Sequence, residues 1–429
     1  MRMNKRHLLG LVAALPLAWL TACGGGDDGN DANVRLVNAS AYTSLDLNVD
    51  DADSPQITAV TFGTGSAYAG VPSGDVSNVL TQTGSGTELL SQTRSLGSGK
   101  KYTIVAFGWE GALKSAILTD DEDGADSGKT KVNVLNEAMD SGELDVYLTG
   151  TDDSLDSSTP VASGVDGGSS SGFSSVTSGT YRLRVTAAGD TTDVRLDVPA
   201  VTLDSTKVVN LLLTTGSGGV LVNAMGLVQD GDVTPYLNTQ GRVRVVAAMA
   251  NSGTVTVKAG STTLASNAKS STVLAYQTID AGTLTLSTTV NGTVLSAGSL
   301  TLTGGEDVTV LVTGTTAADA VVSQIVDDNR LPLVATKYKI RMIHAAPSLA
   351  DQNLSMTIDF GAVVDDLAFA QASDWTSLPA STSSTIDVTS PADGSVFTLT
   401  DLTLLSKGLY TLFMFDTTNG LVGVLRKDR

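Results

Sequence analysis

The sequence predicts an all-β protein, in which tandem immunoglobulin-like β-sandwich domains follow a lipoprotein signal peptide and a flexible tether. Three observations lead to this prediction. One pattern of short strands recurs four times at intervals of roughly 100 residues. Gly, Ser and Thr are abundant and aromatic residues make up only 5% of the chain, a composition typical of extracellular β-sandwiches. The N-terminus has a basic and then an apolar segment that ends at the single cysteine.

Residues 1–22 have the layout of a secretory signal peptide. A basic start precedes an uncharged apolar stretch from Leu8 to Leu20, and small residues then lead to Cys23. The apolar stretch is shorter than the ~20 residues that a membrane-spanning helix needs. The segment Leu20-Thr21-Ala22-Cys23 matches the cleavage and lipidation box of bacterial lipoproteins, so we expect a lipid on Cys23. An ordinary cleaved signal and a retained anchor are the alternatives.

Residues 23–33 are predicted to be the lipidated cysteine and a flexible tether, because Gly24 to Asn33 contain Ala32 as their one apolar residue. Two or three acyl chains, at about 0.8 kcal/mol per buried CH₂, hold a protein stably on a membrane. Gly24 stands where an aspartate would favour inner-membrane retention in enterobacteria. We therefore expect a cell-envelope lipoprotein of the outer membrane, either periplasmic or surface-exposed.

The charge of the chain argues against a nucleic-acid partner. It holds 26 Lys and Arg against 45 Asp and Glu, a net charge of −19, and its bases form no cluster. Binding to phosphates needs a basic face. The single cysteine leaves none for a disulfide, so each domain must depend on its own apolar core. The expected partners are therefore the membrane, through the lipid anchor, and an unknown protein or glycan.

Four copies of one unit make up the rest of the chain. The opening strand recurs from Val34, Val132, Val243 and Ile340, and a second strand with mostly period-two alternation follows each time. A repeat of this length indicates domains with separate cores, not a solenoid. The predicted domains are residues 34–128, 129–238, 241–335 and 337–429. The Ser/Gly-rich residues 151–180 of the second domain are predicted to be an exposed insertion.

An aromatic-x-x-aliphatic-x-x-Gly motif follows in each copy. Its aromatic residues are Tyr68, Phe173, Tyr276 and Trp375, and only the last copy replaces the glycine, with Ser381. The motif predicts a strand whose aromatic residue packs inward, followed by a turn that needs glycine. The serine indicates that φ is negative at this position in the last copy.

The segments Val34 to Ser40, Tyr68 to Gly74 and Lys101 to Gly108 together resemble the domain-of-unknown-function family 4397. The fourth copy, opening at Ile340 to Pro347, is similar to it as well, and copies two and three less so. The resemblance covers most of residues 33–429. It implies a β-sandwich in the bacterial envelope, and it provides no catalytic or ligand-binding residues to transfer.

The residues for catalysis are largely missing, so we expect a non-enzymatic protein. His344 is the one histidine outside the leader, and its counterparts Asn38, Asn136 and Ala247 indicate a structural role at a strand end. Ser-His-Asp or Cys-His catalysis and a His-rich zinc site are therefore disfavoured. The segment Gly124 to Thr130 is one residue too short for a phosphate-binding loop, and a strand follows it. A hydrolase with paired carboxylates is the less favoured alternative.

Acidic clusters lie just before the second, third and fourth units. Calcium takes six to eight oxygen ligands from flexible loops. The sequence therefore allows one speculative calcium site at Asp120, Asp121, Asp123 and Asp126, although solvated acidic turns explain these residues as well. No other cofactor is expected.

Two binding functions remain open from the sequence. The first is an interaction or adhesion module, which predicts an extended and protease-accessible array; four such domains end to end would reach roughly 100–150 Å. The alternative is a periplasmic or extracellular protein that binds a ligand such as a glycan in a cleft lined by exposed aromatic residues. Trp109 has no counterpart in the other copies and is the best candidate for that cleft, although ordinary packing explains this residue as well. A folded-back pair of pairs is equally allowed by the sequence.

Overall fold

The computed structural model describes residues 31–429, and the leader and Cys23 lie outside the described residues. The described chain forms eight β-sheets that pack as four sandwiches, here called units 1 to 4. Short 3₁₀ helices occur at Leu155–Ser157 and Pro347–Leu349. Across residues 31–429, no helix has the length and hydropathy to cross a membrane.

The strands are assigned to the units in chain order. Unit 1 contains β1 (Asp31–Asn38), β2 (Leu45–Val49), β3 (Ile57–Val60), β4 (Thr64–Gly65), β5 (Ala69–Pro72), β6 (Gly74–Gln82), β7 (Glu88–Leu96), β8 (Lys101–Phe107) and β9 (Lys114–Thr119). Unit 2 contains β10 (Lys129–Asn136), β11 (Leu144–Thr149), β12 (Ala162–Val165), β13 (Ser169–Thr177), β14 (Gly179–Ala187), β15 (Asp190–Leu203), β16 (Val208–Thr215), β17 (Val222–Val228) and β18 (Val233–Tyr236).

The second half of the chain repeats this arrangement. Unit 3 contains β19 (Gln240–Met249), β20 (Thr254–Ala259), β21 (Thr262–Lys269), β22 (Thr272–Val273), β23 (Gln277–Asp280), β24 (Gly282–Val290), β25 (Thr293–Val294), β26 (Gly298–Leu302), β27 (Asp307–Gly314) and β28 (Val321–Asp327). Unit 4 contains β29 (Lys337–Ala345), β30 (Leu354–Ile358), β31 (Gly361–Leu367), β32 (Thr376–Pro379), β33 (Ser381–Ser390), β34 (Gly394–Leu404), β35 (Leu409–Thr417) and β36 (Gly420–Lys427).

Each unit has a front sheet, which contains its opening strand, and a back sheet, which contains its second strand. In every front sheet the opening strand runs parallel to the first strand of a late hairpin. These parallel pairs are β1 with β8, β10 with β16, β19 with β27 and β29 with β35. The back sheets are antiparallel, with orders β3-β2-β6-β7, β12-β11-β14-β15, β21-β20-β24-β25 and β31-β30-β33-β34. Alternate residues such as Val34 and Leu36 face the core between the two sheets.

The outer faces of the front sheets are buried too, because the units pack in pairs. Val37 and Phe107 of unit 1 lie in one apolar cluster with Leu212 and Met225 of unit 2. A second cluster joins units 3 and 4 through Val246, Leu311, Ile343, Phe413 and Phe415. The front strands are therefore buried on both faces, which accounts for their nearly continuous apolar sequences.

A similar polar network lies between the paired front sheets, both in units 1 and 2 and in units 3 and 4. In unit 1, Arg35 donates to the Thr103 hydroxyl at 2.7 Å, and Thr103 and Tyr68 both donate to the Asp120 carboxylate. The other Arg35 nitrogens reach across to unit 2, to the carbonyl oxygens of Val228 and Gly231. Each of the three nitrogens of this buried guanidinium group donates to an acceptor, as burial of a charge requires.

In units 3 and 4, an arginine of each unit forms an ion pair with an aspartate of the other unit. Arg244 of unit 3 pairs with Asp428 of unit 4 at 2.6 Å, and Arg341 of unit 4 pairs with Asp327 of unit 3. Both arginine side chains are 2% exposed. In unit 2, Asn133 occupies the position of the arginine and donates to Asn210 of its own unit. Between units 1 and 2, the arginine of unit 1 therefore contacts unit 2, but unit 2 has no equivalent arginine that contacts unit 1.

The two pairs meet end to end at a contact that we call the waist. The loop after β16 lies against the start of β27, where Gly218 donates its N–H to the Gly305 carbonyl at 2.7 Å. A Cβ atom at Gly218 would lie 2.6 Å from the backbone nitrogen of Asp307, so this close approach requires glycine. Arg429 also bridges the waist, donating to the carbonyl oxygens of Gly219 and Asn329. The units thus form a pair of pairs.

Two sequence-based expectations are corrected by the structure. Residues 151–180 are not one exposed insertion, because they contain β12 and β13, which pair with β11 and β10 and extend both sheets of unit 2. The aromatic residues of the repeated motif do not enter the sandwich cores. Tyr68 and Tyr276 lie over arginines of the front sheet, Trp375 does the same over Arg341, and Phe173 is 41% exposed.

The glycine of that motif has the conformation that the pattern predicts. Gly74 and Gly282 have φ of +106° and +138°, which L side chains rarely adopt. Ser381 at the same place in unit 4 is not among the residues of positive φ. The aliphatic residue of the motif supplies the core, as Val71 does in unit 1 and Ile279 in unit 3.

Candidate functional site

A cavity of about 510 Å³ opens at the waist, where units 1, 2 and 3 come together. We call it the waist cleft. It lies at the C-terminal ends of the parallel strands β1, β8 and β16, so its walls are the loops that leave those strands. Its aromatic lining residues are Tyr42, Phe62 and Trp109 of unit 1. Its polar lining includes Glu110, Thr214, Thr215, Asn223, Asn238 and Arg330.

Trp109 is placed in the cleft by a tight turn after β8. Gly108 has φ of +101°, and a Cβ atom there would lie 2.4 Å from the Ala112 carbonyl oxygen. The Trp109 carbonyl accepts from the Ala112 N–H at 2.9 Å and closes the turn. One face of the indole is covered by the Arg330 guanidinium, 4.9 Å from the ring centroid. This cation–π contact fixes the ring as a wall of the cleft.

The cleft holds polar groups that the described residues leave unpaired. Thr214 is 3% exposed and its hydroxyl has no hydrogen-bond partner. The Asn223 side-chain oxygen accepts from the Asn238 N–H at 2.8 Å, while its amide nitrogen has no partner among the described residues. An unpaired buried hydroxyl costs about 1–3 kcal/mol. A ligand with hydroxyl groups would supply the missing partners.

A smaller pocket of about 180 Å³ lies on the other side of Trp109, and we call it the Glu137 pocket. Its apolar lining is Phe107, Ala112, Met139, Leu331, Pro332, Leu333 and Ala335. Glu137 is 8% exposed and lies just after β10. Burial raises the pKa of the Glu137 carboxyl, and the charge of Lys114 opposes that rise.

The four acids of the speculative calcium site have other partners or stand apart. The Asp120 carboxylate accepts from Tyr68 and Thr103, and Asp121 pairs with Lys100. Within residues 31–429, no three or more His, Cys, Asp and Glu side chains gather as a metal-ligand set. Asp123 and Asp126 therefore do not join Asp120 and Asp121 around one point, and calcium binding stays a prediction for a direct measurement.

His344 is fully buried at the end of β29 and makes local hydrogen bonds. Its Nε2 lies 3.2 Å from the carbonyl oxygens of both Leu349 and Gln352, and its ring packs edge-on against Phe369. Asn38 at the same place in unit 1 likewise bridges two carbonyl oxygens. Burial lowers the pKa of His344, so the ring is neutral near pH 7.

The Gly124 to Thr130 segment has the backbone of a strand start. Lys129 opens β10 and donates to the Thr177 hydroxyl, and the Thr130 hydroxyl donates to the Asp204 carbonyl. A phosphate-binding loop needs a helix here, with its free N–H groups directed at the phosphates. Lys129 and Thr130 instead pair with β13, and the strand that they open continues beside β16.

The fold and the cleft define a class: a multi-domain β-sandwich protein with a cleft lined by aromatic residues between its units. The family model described as a domain of unknown function, DUF4397, matches residues 32–147 and 241–351. Because this is more than half of the chain, the protein belongs to that family. The second match covers unit 3 and the start of unit 4, so unit 3 carries the family pattern more fully than its motifs predict.

Solved structures give only distant similarities. They include the TIE protein of Bacillus anthracis, with 10% identity and a TM-score of 0.16. The alignment covers 67% of this chain and 51% of the TIE protein. A CBM26 module of Eubacterium rectale Amy13K with maltoheptaose has 14% identity and a TM-score of 0.15, over 48% of this chain and 96% of the module. A putative cell adhesion protein of Bacteroides uniformis has 10% identity and a TM-score of 0.14, over 70% and 97% of the two chains.

The chain thus spans about half the length of the first of these structures. No curated protein shows significant sequence similarity to it. Similarities this low assign neither a ligand nor an activity.

Proposed function

We propose that this protein is a non-enzymatic binding protein of the bacterial cell envelope, anchored by a lipid on Cys23, and that the waist cleft binds a glycan. The observation that carries the proposal is the combination in one cleft of three aromatic residues, Tyr42, Phe62 and Trp109, with the unpaired Thr214 hydroxyl. Sugars present apolar C–H faces that stack on aromatic rings and hydroxyl groups that pair with amides and hydroxyls.

The position of the cleft suits an anchored protein. The described chain begins at Asp31, the first residue of β1. The cleft lies beyond the other end of this strand. Eight residues of strand separate the two ends by roughly 25 Å. An anchor at Cys23 would therefore join the described chain at the end of β1 that lies opposite the cleft.

The paired units favour this proposal over an adhesion array. An adhesion array of four domains needs an extended chain whose domains expose their side surfaces. In this protein, the front sheet of each unit is instead covered by the front sheet of the unit with which it pairs. What the pairing leaves accessible is the set of loops at the waist, which belong to several units and form a concave surface. If the glycan experiment fails, a protein partner at these loops is the remaining alternative.

The test is affinity for immobilised polysaccharides of different linkage, including purified peptidoglycan, measured with the full chain in detergent. Trp109→Ala is expected to weaken binding at least tenfold, or about 1.4 kcal/mol. The matched control is Phe360→Ala, because Phe360 is a fully exposed aromatic residue of unit 4 that lines neither cavity. Binding to none of the polysaccharides, or equal binding by the two variants, would contradict the proposal.

Thr214→Val separates a binding role from a structural one. The variant removes an unpaired hydroxyl without changing the shape of the side chain, so we expect a higher melting temperature together with glycan affinity lowered several-fold. A variant that binds as tightly as the parent would show that the hydroxyl does not contact the ligand. The anchor is tested separately, since Cys23→Ala should abolish metabolic labelling by a fatty acid.

A further inference from the structure

We propose that the Glu137 pocket is a second ligand site, and that it binds a zwitterionic α-amino acid with an apolar side chain. The ligand ammonium would pair with Glu137, its carboxylate with Lys114 and Lys407, and its side chain would pack on the apolar wall beside Trp109. This site is independent of the proposed glycan function, because its charged groups belong to a separate cavity.

Glu137 is the observation that points to a cation. The residue as a whole is 8% exposed, and its carboxylate makes no hydrogen bond with a described residue and no ion pair within 4 Å. The backbone N–H of the same residue is used, since it donates to the Leu213 carbonyl at 2.9 Å. A carboxylate that lines a largely apolar pocket is incompletely solvated, and an ammonium group in the pocket would stabilise it.

The second acidic group of the pocket is already neutralised. Asp140 accepts from the Thr215 hydroxyl at 3.0 Å and from the Leu331 N–H at 3.2 Å, and it pairs with Arg429. Glu137 is therefore the free anion among the residues that line this pocket. That difference assigns the ammonium to Glu137 and not to Asp140.

Two lysines at the rim make the site suitable for a zwitterion. Lys114 stands opposite Phe107 in the β8–β9 ladder, and Lys407 comes from the turn before β35 of unit 4. Both are exposed, and neither side-chain nitrogen has a hydrogen-bond or ion-pair partner among the described residues. A carboxylate held between these two ammonium groups would gain charge-assisted hydrogen bonds.

The size and the apolar wall restrict the ligand further. The volume of about 180 Å³ corresponds to roughly six water molecules, which suits one amino acid and not a sugar chain. Met139 and Leu333 are 39% and 62% exposed, so apolar surface remains uncovered at the mouth of the pocket. An apolar side chain that covers this surface would gain about 25 cal/mol per Å².

The test is isothermal titration calorimetry of the full chain in detergent with L-leucine and L-phenylalanine. N-acetyl-leucine lacks the ammonium and leucine amide lacks the carboxylate, so each should bind at least tenfold more weakly than leucine. Glu137→Gln should lose at least tenfold in leucine affinity, whereas Glu88→Gln, an exposed glutamate of β7, should bind as the parent does.

The same variants separate this site from the waist cleft. Glu137→Gln should retain polysaccharide binding, and Thr214→Val should retain leucine binding. A melting temperature of Glu137→Gln at or above that of the parent would show that the loss is not caused by unfolding. The proposal is overturned if neither amino acid binds, if N-acetyl-leucine binds as well as leucine, or if the two glutamine variants bind alike.

Discussion

Removing Arg341 tests the pairing of units 3 and 4 most sharply. Its guanidinium is 2% exposed and pairs with Asp327, which is fully buried. In Arg341→Met, Asp327 keeps only the two neutral donors, the Tyr276 and Thr309 hydroxyls. Leaving one charge of a buried pair uncompensated costs about 3–5 kcal/mol.

The assay is urea unfolding followed by the fluorescence of Trp375, whose ring lies 4.5 Å from the Arg341 guanidinium carbon. A Trp109→Phe background leaves Trp375 as the one reporter among the described residues. For a slope of roughly 1–3 kcal/mol per M urea, the midpoint should fall by about 1–5 M. The double variant Arg341→Met with Asp327→Asn should recover much of this loss, because no buried charge then lacks a partner.

The control is Lys100→Met, which removes an ion pair whose two side chains are 52% and 51% exposed. Exposed pairs contribute little to stability, so its midpoint should stay close to that of the parent. If Arg341→Met were no less stable than this control, the exchange of arginines between units 3 and 4 would be wrong.

Three further predictions concern the waist, a turn and a buried histidine. Gly218→Ala should separate the two pairs of units, because the added Cβ has no room at the waist. Small-angle scattering should then give a larger radius of gyration than for the control Gly70→Ala, where the added Cβ meets open space. Gly282→Ala should cost about 1–2 kcal/mol from its φ of +138°, whereas Ser381→Ala should be nearly neutral in thermal unfolding. Burial lowers the pKa of His344, so the unfolded chain binds more protons and stability should fall as the pH drops below about 6.5. The His344→Asn variant should lose that part of the pH dependence in melting temperatures, and an unchanged slope would contradict the assignment.

The repeated fold could be predicted from the sequence because its signals are local. Alternation in β2 and the glycine of the Gly74 turn follow from side-chain periodicity and backbone sterics, which act within a few residues. The pairing of units could not be predicted in this way. Continuous apolar strands such as Val208–Thr215 indicate burial on both faces, but they do not say which surface covers the outer one.

The site was predictable only in part. Trp109 could be singled out because no other unit has an aromatic residue at its position, and the structure places it between two cavities. Thr214, Asn223 and Glu137 could not be found, because each is an ordinary polar residue near a strand end. They come together with the residues of other units only in the folded chain, and the one local signal is the glycine-rich loop of residues 216–219, which permits the contact at the waist.

The motif aromatics show why an inward-packing prediction failed. The pattern treats an aromatic beside an aliphatic residue as core, but Tyr276 lies over Arg242 and Arg244, each 4.7 Å from its ring centroid. A buried arginine on the outer face of a front sheet needs both an acceptor and a polarisable neighbour. That need arises from the packing of one unit on the next, which a single repeat does not encode.

The most direct test of the account is ¹⁹F NMR of the chain from residue 24 onward, labelled with 5-fluorotryptophan and titrated with a polysaccharide that the full chain binds. The labelled chain has two indoles, Trp109 in the waist cleft and Trp375 beneath the front sheet of unit 4. We predict that the Trp109 resonance shifts in a saturable way while the Trp375 resonance stays in place. A shift of Trp375 alone, or saturable binding with neither resonance moving, would contradict a glycan site at the waist.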